Sequence, residues 1–246
     1  MKLLYHIGHY FLLMKRVFSK PEKAGIFFRL FIREVDMLGV NSLGIVIIIS
    51  VFMGAVITLQ TAYNIESPLI PDYLIGLTAR DSMILEFSST IVGLILAGKV
   101  GSNVASEIGT MRISEQIDAL EIMGVNSANY LILPKIAAAV FINPFLNIIS
   151  IFVGLIGGYL AIRLSGAIAP EQFIYGLHYV FIPFYITYSL VKTVFFAFII
   201  TSVPAYHGYY ASGGALEVGR SSTRAVVYSS ILILLTNVII TQLMLA

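Results

Sequence analysis

Cysteine is absent from this sequence of 246 residues, and charged residues make up only 11% of it. The absence of cysteine excludes disulfide bonds, thiolate metal sites and a cysteine nucleophile. The four histidines are scattered along the chain, and no His or carboxylate cluster falls at catalytic spacing. The composition therefore gives no indication of an enzyme: we expect no catalytic residue and no metal site.

Hydrophobic residues, in contrast, make up 58% of the chain. An average soluble domain is about 45–50% apolar and about 25% charged, so this much apolar surface cannot be hidden in one soluble core. The expected solvent is a lipid bilayer. We predict an all-α integral membrane protein that forms a single membrane domain over residues 1–246.

Five apolar segments are long enough to cross about 30 Å of hydrocarbon. The predicted spans are about 41–62, 82–104, 136–162, 179–203 and 225–245. A polar loop is expected over residues 66–81, between the first two spans. The fourth span contains Lys192, and an ionisable residue inside a membrane is a functional candidate.

The first 36 residues combine seven basic residues with apolar residues that recur at helical spacing between Pro21 and Val35. Proline suits the first turn of a helix. A basic amphipathic helix of this kind lies in the membrane interface and does not cross the bilayer. We therefore predict that residues 1–36 are cytoplasmic and interfacial.

The distribution of Lys and Arg predicts the orientation of the five spans. With the N-terminus inside, the inner segments hold seven, three and two basic residues, whereas the outer loops hold only Arg80 and Arg163. This bias favours a cytoplasmic N-terminus and a C-terminus on the opposite side. It also places residues 99–135 in the cytoplasm.

Residues 97–124, AGKVGSNVASEIGTMRISEQIDALEIMG, form a polar and partly acidic segment between two apolar runs. Ser114 is expected to cap a helix with Glu115 in its first turn, and Gly124 is expected to end that helix. The helix would carry an apolar stripe toward the membrane domain and a second face toward a partner. The stripe is Ile113, Ile117 and Leu120, and the opposite face is Glu115, Asp118 and Ile122. An ordinary solvated loop helix is the alternative interpretation.

The same run resembles the signature of the MlaE-type (YrbE/TGD-like) permeases of ABC lipid transporters. That signature has a Gly-basic-Val-Gly-Ser lead, then Ala-Glu-Leu-Gly-Thr-Met, then Glu-Gln-Ile-Asp-Ala-Leu and Met-Gly. The chain departs from it at Lys99, where Arg is usual, and at Ile108, where Leu is usual. The matching residues are Gly98, Gly101, Ser102, Glu107, Gly109, Thr110, Met111, Glu115, Gln116, Asp118, Ala119, Leu120, Met123 and Gly124.

The resemblance continues toward the C-terminus. Lys192-Thr193 followed by Phe196 is similar to the family's Lys-Ser-x-x-Phe-Gly run, with Ala197 in place of the Gly. Residues 206–208, Tyr-His-Gly, are similar to the Tyr-x-Gly that ends the same span. The stretch 213–227 resembles the family's entry to its last span. The similarity covers residues from about 37 to the end.

The resemblance implies a permease subunit that moves phospholipid between the inner and outer membranes of a bacterium. The subunit would be a homodimer in the inner membrane, with a cytoplasmic ABC ATPase and a periplasmic MCE-domain protein as partners. It also implies a coupling segment over residues 105–125 that contacts the ATPase. The residues carried over for that contact are Glu107, Gly109, Thr110, Met111, Glu115, Gln116, Asp118, Ala119, Leu120, Met123 and Gly124.

Two lysines are candidate lipid or cavity contacts. Lys99 lies at the membrane end of the coupling segment and keeps the charge of the family's Arg without its bidentate geometry. Lys192 lies about 18 Å of helix from Pro204, deep in the fourth span. It would either pair with a neighbouring helix or reach a water-filled cavity. Alternatively, it would face a translocation cavity and attract a lipid phosphate.

Two short motifs are similar to nucleotide-binding sequences. Residues 214–221 are one substitution from a phosphate-binding P-loop but lack its Lys and any preceding strand. His6-Ile7-Gly8-His9 spells a tetrapeptide of aminoacyl-tRNA synthetases, in a sequence that offers no nucleotide-binding α/β domain. We therefore expect no cofactor in this chain, ATP and Mg on the partner ATPase, and no nucleic-acid partner.

Two other functions remain open. The first is an ABC permease for a small polar solute, which phospholipid co-purification would distinguish from a lipid permease. The second is an ion-coupled secondary transporter, which would work without an ATPase and usually carries an internal repeat that is not seen in this sequence.

Overall fold

The computed structural model describes residues 2–19, 24–65 and 70–245, and all regular structure in those residues is helical. Pro21, predicted to begin the interfacial helix, lies outside the described residues. Positions 66–69 of the predicted polar loop also lie outside them.

Eight helices follow one another along the described chain. They are Lys2–Val17 (α1), Ala24–Asn64 (α2), Tyr73–Ile113 (α3), Gln116–Ile122 (α4), Ser127–Ser165 (α5), Pro170–His178 (α6), Phe184–Tyr209 (α7) and Ala215–Leu245 (α8). Five of them, α2, α3, α5, α7 and α8, are long and apolar enough to cross a membrane. This confirms the prediction of an all-α integral membrane protein.

Helix α2 contains both the predicted interfacial helix and the predicted first span without a break. Its 41 residues extend over about 60 Å, twice the thickness of the hydrocarbon. No proline interrupts the helix near residue 36, where the two predicted segments meet, and Asp36–Val40 at that junction are π-helical. The interfacial position of its first part stays a prediction.

Helix α3 begins inside the region that was predicted to be a polar loop. Arg80 lies in the helix and is only 3% exposed. It can be buried because its guanidinium pairs with Asp81 at 2.8 Å and donates to the carbonyl oxygens of Leu177 and Tyr179 at 2.9 Å. The prediction of a polar loop was therefore wrong for residues 73–81, which are helical.

The region between the predicted third and fourth spans also contains a helix that was not predicted. Helix α6 begins at Pro170, whose missing N–H costs nothing in a first turn. It packs on α3 with almost no separation, since a Cβ on Gly176 would lie 2.0 Å from the carbonyl oxygen of Tyr73. Helix α7 begins only at Phe184, five residues after the predicted start of the fourth span at residue 179.

The chain divides into two compact units. The first comprises the described residues of Met1–Asn41 together with Leu94–Ile142 and Phe195–Ile239. The second comprises the described residues of Ser42–Gly93, Asn143–Val194 and Ile240–Ala246. A single domain over the whole chain stays a prediction.

In the second unit, small residues bring α2 and α5 into close contact. A Cβ on Gly54 would lie 1.8 Å from the carbonyl oxygen of Gly154. Ser50 donates to Ser150 at 2.8 Å between the same helices. Small residues spaced by four, Ser50 and Gly54 in α2 and Ser150 and Gly154 in α5, therefore serve packing within the chain, because such residues let helix backbones approach closely.

In the first unit, α3 and α7 cross at equally small separation. A Cβ on Gly208 would lie 2.6 Å from the carbonyl oxygen of Ala105. Helix α1 packs beside the end of α7, where Tyr10 donates to Ser202 at 2.8 Å. These contacts fix the end of α3, from which the predicted coupling segment continues.

Candidate functional site

The predicted coupling segment is built from the end of α3 and the short helix α4, with a sharp turn between them. Ser114 ends α3, and its hydroxyl donates to the carbonyl oxygen of Thr110 at 2.7 Å. Glu115 follows with a φ of 59°, a left-handed conformation that is unfavourable for a residue other than glycine. The predicted N-cap role of Ser114 was therefore wrong, because its hydroxyl bonds backward to the preceding turn.

The predicted end of the helix at Gly124 is confirmed. Gly124 has a φ of +78°, and its N–H donates to the carbonyl oxygen of Glu121 at 3.0 Å. The N–H of Val125 donates to the carbonyl oxygen of Leu120, also at 3.0 Å. This pair of bonds is the Schellman motif, in which glycine at C′ ends a helix.

Helix α4 has one buried face and one exposed face. Ile117 is fully buried, as the predicted membrane-facing stripe requires. Ile122 is 87% exposed and Met123 is 68% exposed, so two large apolar side chains project from the end of the helix. An exposed apolar pair at the end of a helix that also leaves Glu115 exposed at its start is a surface to which another protein can bind.

Most of the predicted contact residues are exposed or half-buried. Asp118 is held by Arg112, whose guanidinium lies 2.6 Å from its carboxylate. Gly109 is buried in the close packing of α3 on α8, where a Cβ would lie 2.9 Å from Val218. Half-buried residues are Glu107, Met111, Asp118 and Leu120; the exposed ones are Thr110, Glu115, Gln116, Ala119, Met123 and Gly124.

Glu121 is a residue of this site that sequence reasoning missed. One of its carboxylate oxygens accepts hydrogen bonds from Ser127 and Tyr209, each at 2.9 Å, and lies 2.8 Å from the guanidinium of Arg16. The hydrogen bond from Ser127 and then that from Arg16 lower the pKa of Glu121 below its ordinary value. Glu121 thus joins α4 to the helices α1, α5 and α7.

A second missed cluster surrounds the buried ammonium of Lys135. It lies 2.7 Å from the carboxylates of both Glu34 and Glu107. The side chain of Glu34 is 9% exposed, and that of Glu107 is 36% exposed. Lys135 therefore links the predicted coupling segment, through Glu107, to the end of the predicted interfacial helix.

The two predicted lysine contacts lie in different environments. Lys99 is exposed and donates to the carbonyl oxygen of Asn41. Lys192 is fully buried, 3.0 Å from Glu86, and donates to the carbonyl oxygen of Leu85 at 2.9 Å. The contacts of Lys192 are those expected if it pairs with a neighbouring helix.

The described part of the chain contains no group of three or more His, Cys, Asp or Glu residues placed to hold a metal ion. The run at 214–221, which is similar to a P-loop, lies in the first turns of α8 from Ala215 onward. A P-loop needs its backbone N–H groups free to surround a phosphate, whereas a helix directs those beyond its first turn at its own carbonyls.

The sequence profile of the permease MlaE family matches residues 31–243 of this chain. The chain belongs to the MlaE permease family. A probable ABC transporter permease protein of Rickettsia bellii is 34% identical over 98% of this chain and 93% of its own length. The intermembrane phospholipid transport system permease protein MlaE of Haemophilus influenzae is 29% identical over 95% of this chain and 89% of its own length. The chloroplastic protein TRIGALACTOSYLDIACYLGLYCEROL 1 of Arabidopsis thaliana is 29% identical over 89% of this permease and 63% of its own length.

Proposed function

We propose that this permease moves phospholipid between the inner and outer membranes of a bacterium, driven by a separate ABC ATPase. The similarity to a permease of Haemophilus influenzae that is named for intermembrane phospholipid transport supports this substrate. The name of the Rickettsia relative supports an ABC transporter without indicating a substrate.

The observation that carries the proposal is the exposed end of α4. Ile122 and Met123 project from a short helix whose opposite face is anchored by buried Ile117. An anchored helix with an exposed apolar end can transmit a push from a bound partner to the helices behind it. We assign this surface to the ATPase, with Glu115 as a polar contact at its edge.

ATP and Mg would then be bound by the ATPase and not by this chain. The helical conformation from Ala215 onward supports this division, because it leaves no open loop to surround a phosphate. Closure of the ATPase on ATP would push α4, and this rigid-body movement would switch the transport cavity between lipid-accepting and lipid-expelling states.

We further propose that the permease is a homodimer in the inner membrane and engages a periplasmic MCE-domain protein. Helix α8 supports a second copy, since only 17% of its most apolar stretch is buried within the chain. The bias of Lys and Arg supports a cytoplasmic N-terminus and a periplasmic C-terminus. With that orientation α4 lies on the cytoplasmic side, where ATP is available.

Of the two lysines, Lys99 is the better candidate for a lipid phosphate contact, because the residue is exposed and its ammonium has no carboxylate partner among the described ion pairs. Lys192 would have to leave Glu86 before it could bind a phosphate. We expect a Lys99→Met variant to lose more transport than Lys192→Met when both are reconstituted in liposomes and compared at equal protein. Undiminished transport by both variants would remove the phosphate role from both lysines.

The proposed function is tested by isolating the tagged permease from its native membrane and identifying the bound proteins and lipids. We expect an ABC ATPase, an MCE-domain protein and phospholipid. Recovery of the ATPase without any phospholipid would favour a small polar solute as substrate. Isolation of the permease without any ATPase would contradict the proposal and favour an ion-coupled transporter.

A further inference from the structure

We propose that α1 binds an anionic lipid surface and that its last turn transmits this binding to the coupling helix α4 through Glu121, Asn126 and Asn129. The proposal rests on the proposed function, because it names a control of ATP-driven transport. All of the residues that carry it belong to the first of the two compact units.

The outward face of α1 is apolar along most of its length and basic at its end. Exposed apolar side chains recur at helical spacing, and exposed Lys15 and Arg16 continue the same face in the last turn. No acidic residue occurs in α1. A helix with this pattern binds at the surface of anionic lipids, where each basic residue strengthens the attraction. The exposed apolar residues are Leu4, Tyr5, Ile7, Phe11 and Leu12.

The inward face of α1 is attached to the protein. Leu13 and Val17 are fully buried. The ring of His6 lies 2.8 Å from the hydroxyl of Tyr206, and Tyr10 donates to Ser202 at the same distance. Helix α1 is therefore held on one face by α7 and leaves the other face for the lipid surface.

The end of α1 is bonded to the chain that follows α4. The last carbonyl groups of a helix have no partner within the helix. The side-chain amide of Asn126 donates to the carbonyl oxygen of Arg16 at 3.1 Å. That of Asn129, which is buried, donates to the carbonyl oxygens of Val17 at 2.7 Å and Ser19 at 2.6 Å. Two side chains just beyond α4 thus satisfy the end of α1.

Arg16 completes the link from the lipid surface to α4. Its guanidinium lies 2.8 Å from Glu121 in α4, yet the side chain is 49% exposed and can also approach a lipid phosphate. When anionic lipid holds α1 in place, the segment 121–129 is held with it. When the ATPase pushes α4, the movement then displaces α5 and α7, because α1 is held by the lipid and cannot move with α4. Anionic lipid should therefore raise the amount of phospholipid moved per ATP hydrolysed.

The experiment uses the complete complex of permease and ATPase in two kinds of vesicle. One is phosphatidylcholine alone, and the other is phosphatidylcholine mixed with phosphatidylglycerol at several increasing fractions. ATP hydrolysis and movement of a fluorescent phospholipid are measured on the same preparation. We expect the ratio of transport to hydrolysis to rise with phosphatidylglycerol in the unmodified protein. We expect this rise to be lost in Arg16→Gln and in Glu121→Gln.

Lys15→Gln is the matched control, since it removes one positive charge from the same turn of α1 without touching Glu121. It should keep the rise but shift it to a higher fraction of phosphatidylglycerol. Arg16→Lys keeps the charge and should also retain the rise. ATP hydrolysis by Arg16→Gln in phosphatidylcholine alone, at the level of the unmodified protein, shows that this variant is folded and assembled.

A ratio that does not depend on phosphatidylglycerol in the unmodified protein would overturn the proposal. An unchanged rise in both Arg16→Gln and Glu121→Gln would overturn it as well. Failure of the proposed function looks different, because no ATPase would then co-purify and no ATP-dependent movement would occur in either vesicle.

Discussion

Each of the two units buries a lysine, and the two lysines are satisfied in different ways. Lys135 in the first unit contacts two carboxylates, Glu34 and Glu107, which come from different helices. Lys192 in the second unit contacts the single carboxylate of Glu86, a backbone carbonyl oxygen and the hydroxyl of Tyr188. The first cluster therefore has two carboxyl groups for one lysine, whereas the second has one carboxyl group for one lysine.

The difference concerns what each lysine joins. Lys135 connects α5 to α2 and to the part of α3 that leads into the coupling helix. Lys192 connects α7 to α3 within a stretch that is long and apolar enough to cross a membrane. Of the two lysines, Lys135 is the one whose contacts would change when the coupling helix moves. Lys192 stabilises the packing of α7 on α3. Burial of a lysine therefore does not by itself mark a ligand site.

The largest effect is expected from Lys135→Met. Removing one partner of a buried ion pair costs about 3–5 kcal/mol, because the remaining charge is left uncompensated. In this variant two carboxylates lose their partner, and one of them is only 9% exposed. The measurement is the thermal midpoint of the detergent-solubilised protein. Adding Glu34→Gln and Glu107→Gln to the same chain should restore most of the loss, and no recovery would contradict the charge explanation.

Lys192→Met should destabilise the protein less, by about 2–3 kcal/mol, below the usual cost of breaking a buried pair. The reason is that Glu86 is 40% exposed and keeps part of its solvation when the ammonium is removed. The same thermal assay compares this variant with Lys135→Met. If Lys192→Met proved the more damaging of the two, the proposed contrast between the lysines would be reversed.

Glu121→Gln should cost only about 1 kcal/mol near neutral pH, since its carboxylate is 39% exposed and such ion pairs are weak. The pKa of Glu121 is lowered in the folded protein by Ser127 and then Arg16. A lowered pKa stabilises the fold above the ordinary value of about 4.3. This contribution is lost as the pH falls through the folded value. The difference in thermal midpoint between Glu121→Gln and the unmodified protein should shrink on acidification. A widening difference would contradict a stabilising role of the Glu121 carboxylate.

The smallest effect is expected from Asp118→Asn, at about 0.5 kcal/mol. The pair with Arg112 is short, but both side chains are more than a third exposed, so water replaces much of the interaction. High salt should remove the remaining difference from the unmodified protein in the same assay. A loss as large as that of Lys192→Met would indicate that Asp118 holds α4 in place.

The long helices could be predicted from the sequence. In a membrane, the backbone N–H and C=O groups of an apolar run of this length find their hydrogen-bond partners within a helix. The break between α3 and α4 could not be predicted. Serine is a favoured N-cap residue, and the sequence does not reveal that the hydroxyl of Ser114 bonds to the carbonyl oxygen of Thr110 instead. Helix α6 was missed because it is short, and because its packing on Tyr73 through Gly176 involves residues about a hundred positions apart.

The residues of the candidate site could be predicted only where a local sequence pattern determines their structure. The Schellman turn at Gly124 and the burial of Ile117 follow from local patterns, and both are confirmed. Glu121 and Lys135 were missed because their partners are distant in sequence, with 105 positions between Arg16 and Glu121 and 101 between Glu34 and Lys135. No periodicity within one helix can reveal such pairs.

The central claim, that the exposed end of α4 binds a separate ATPase, is tested most directly by photo-crosslinking. A photoreactive phenylalanine analogue is placed at Ile122, and as a control at Phe152, which is 65% exposed on the apolar helix α5. We predict that the probe at position 122 cross-links an ABC ATPase, whereas the probe at position 152 cross-links none. Cross-linking of the ATPase from position 152 but not from position 122 would contradict the account.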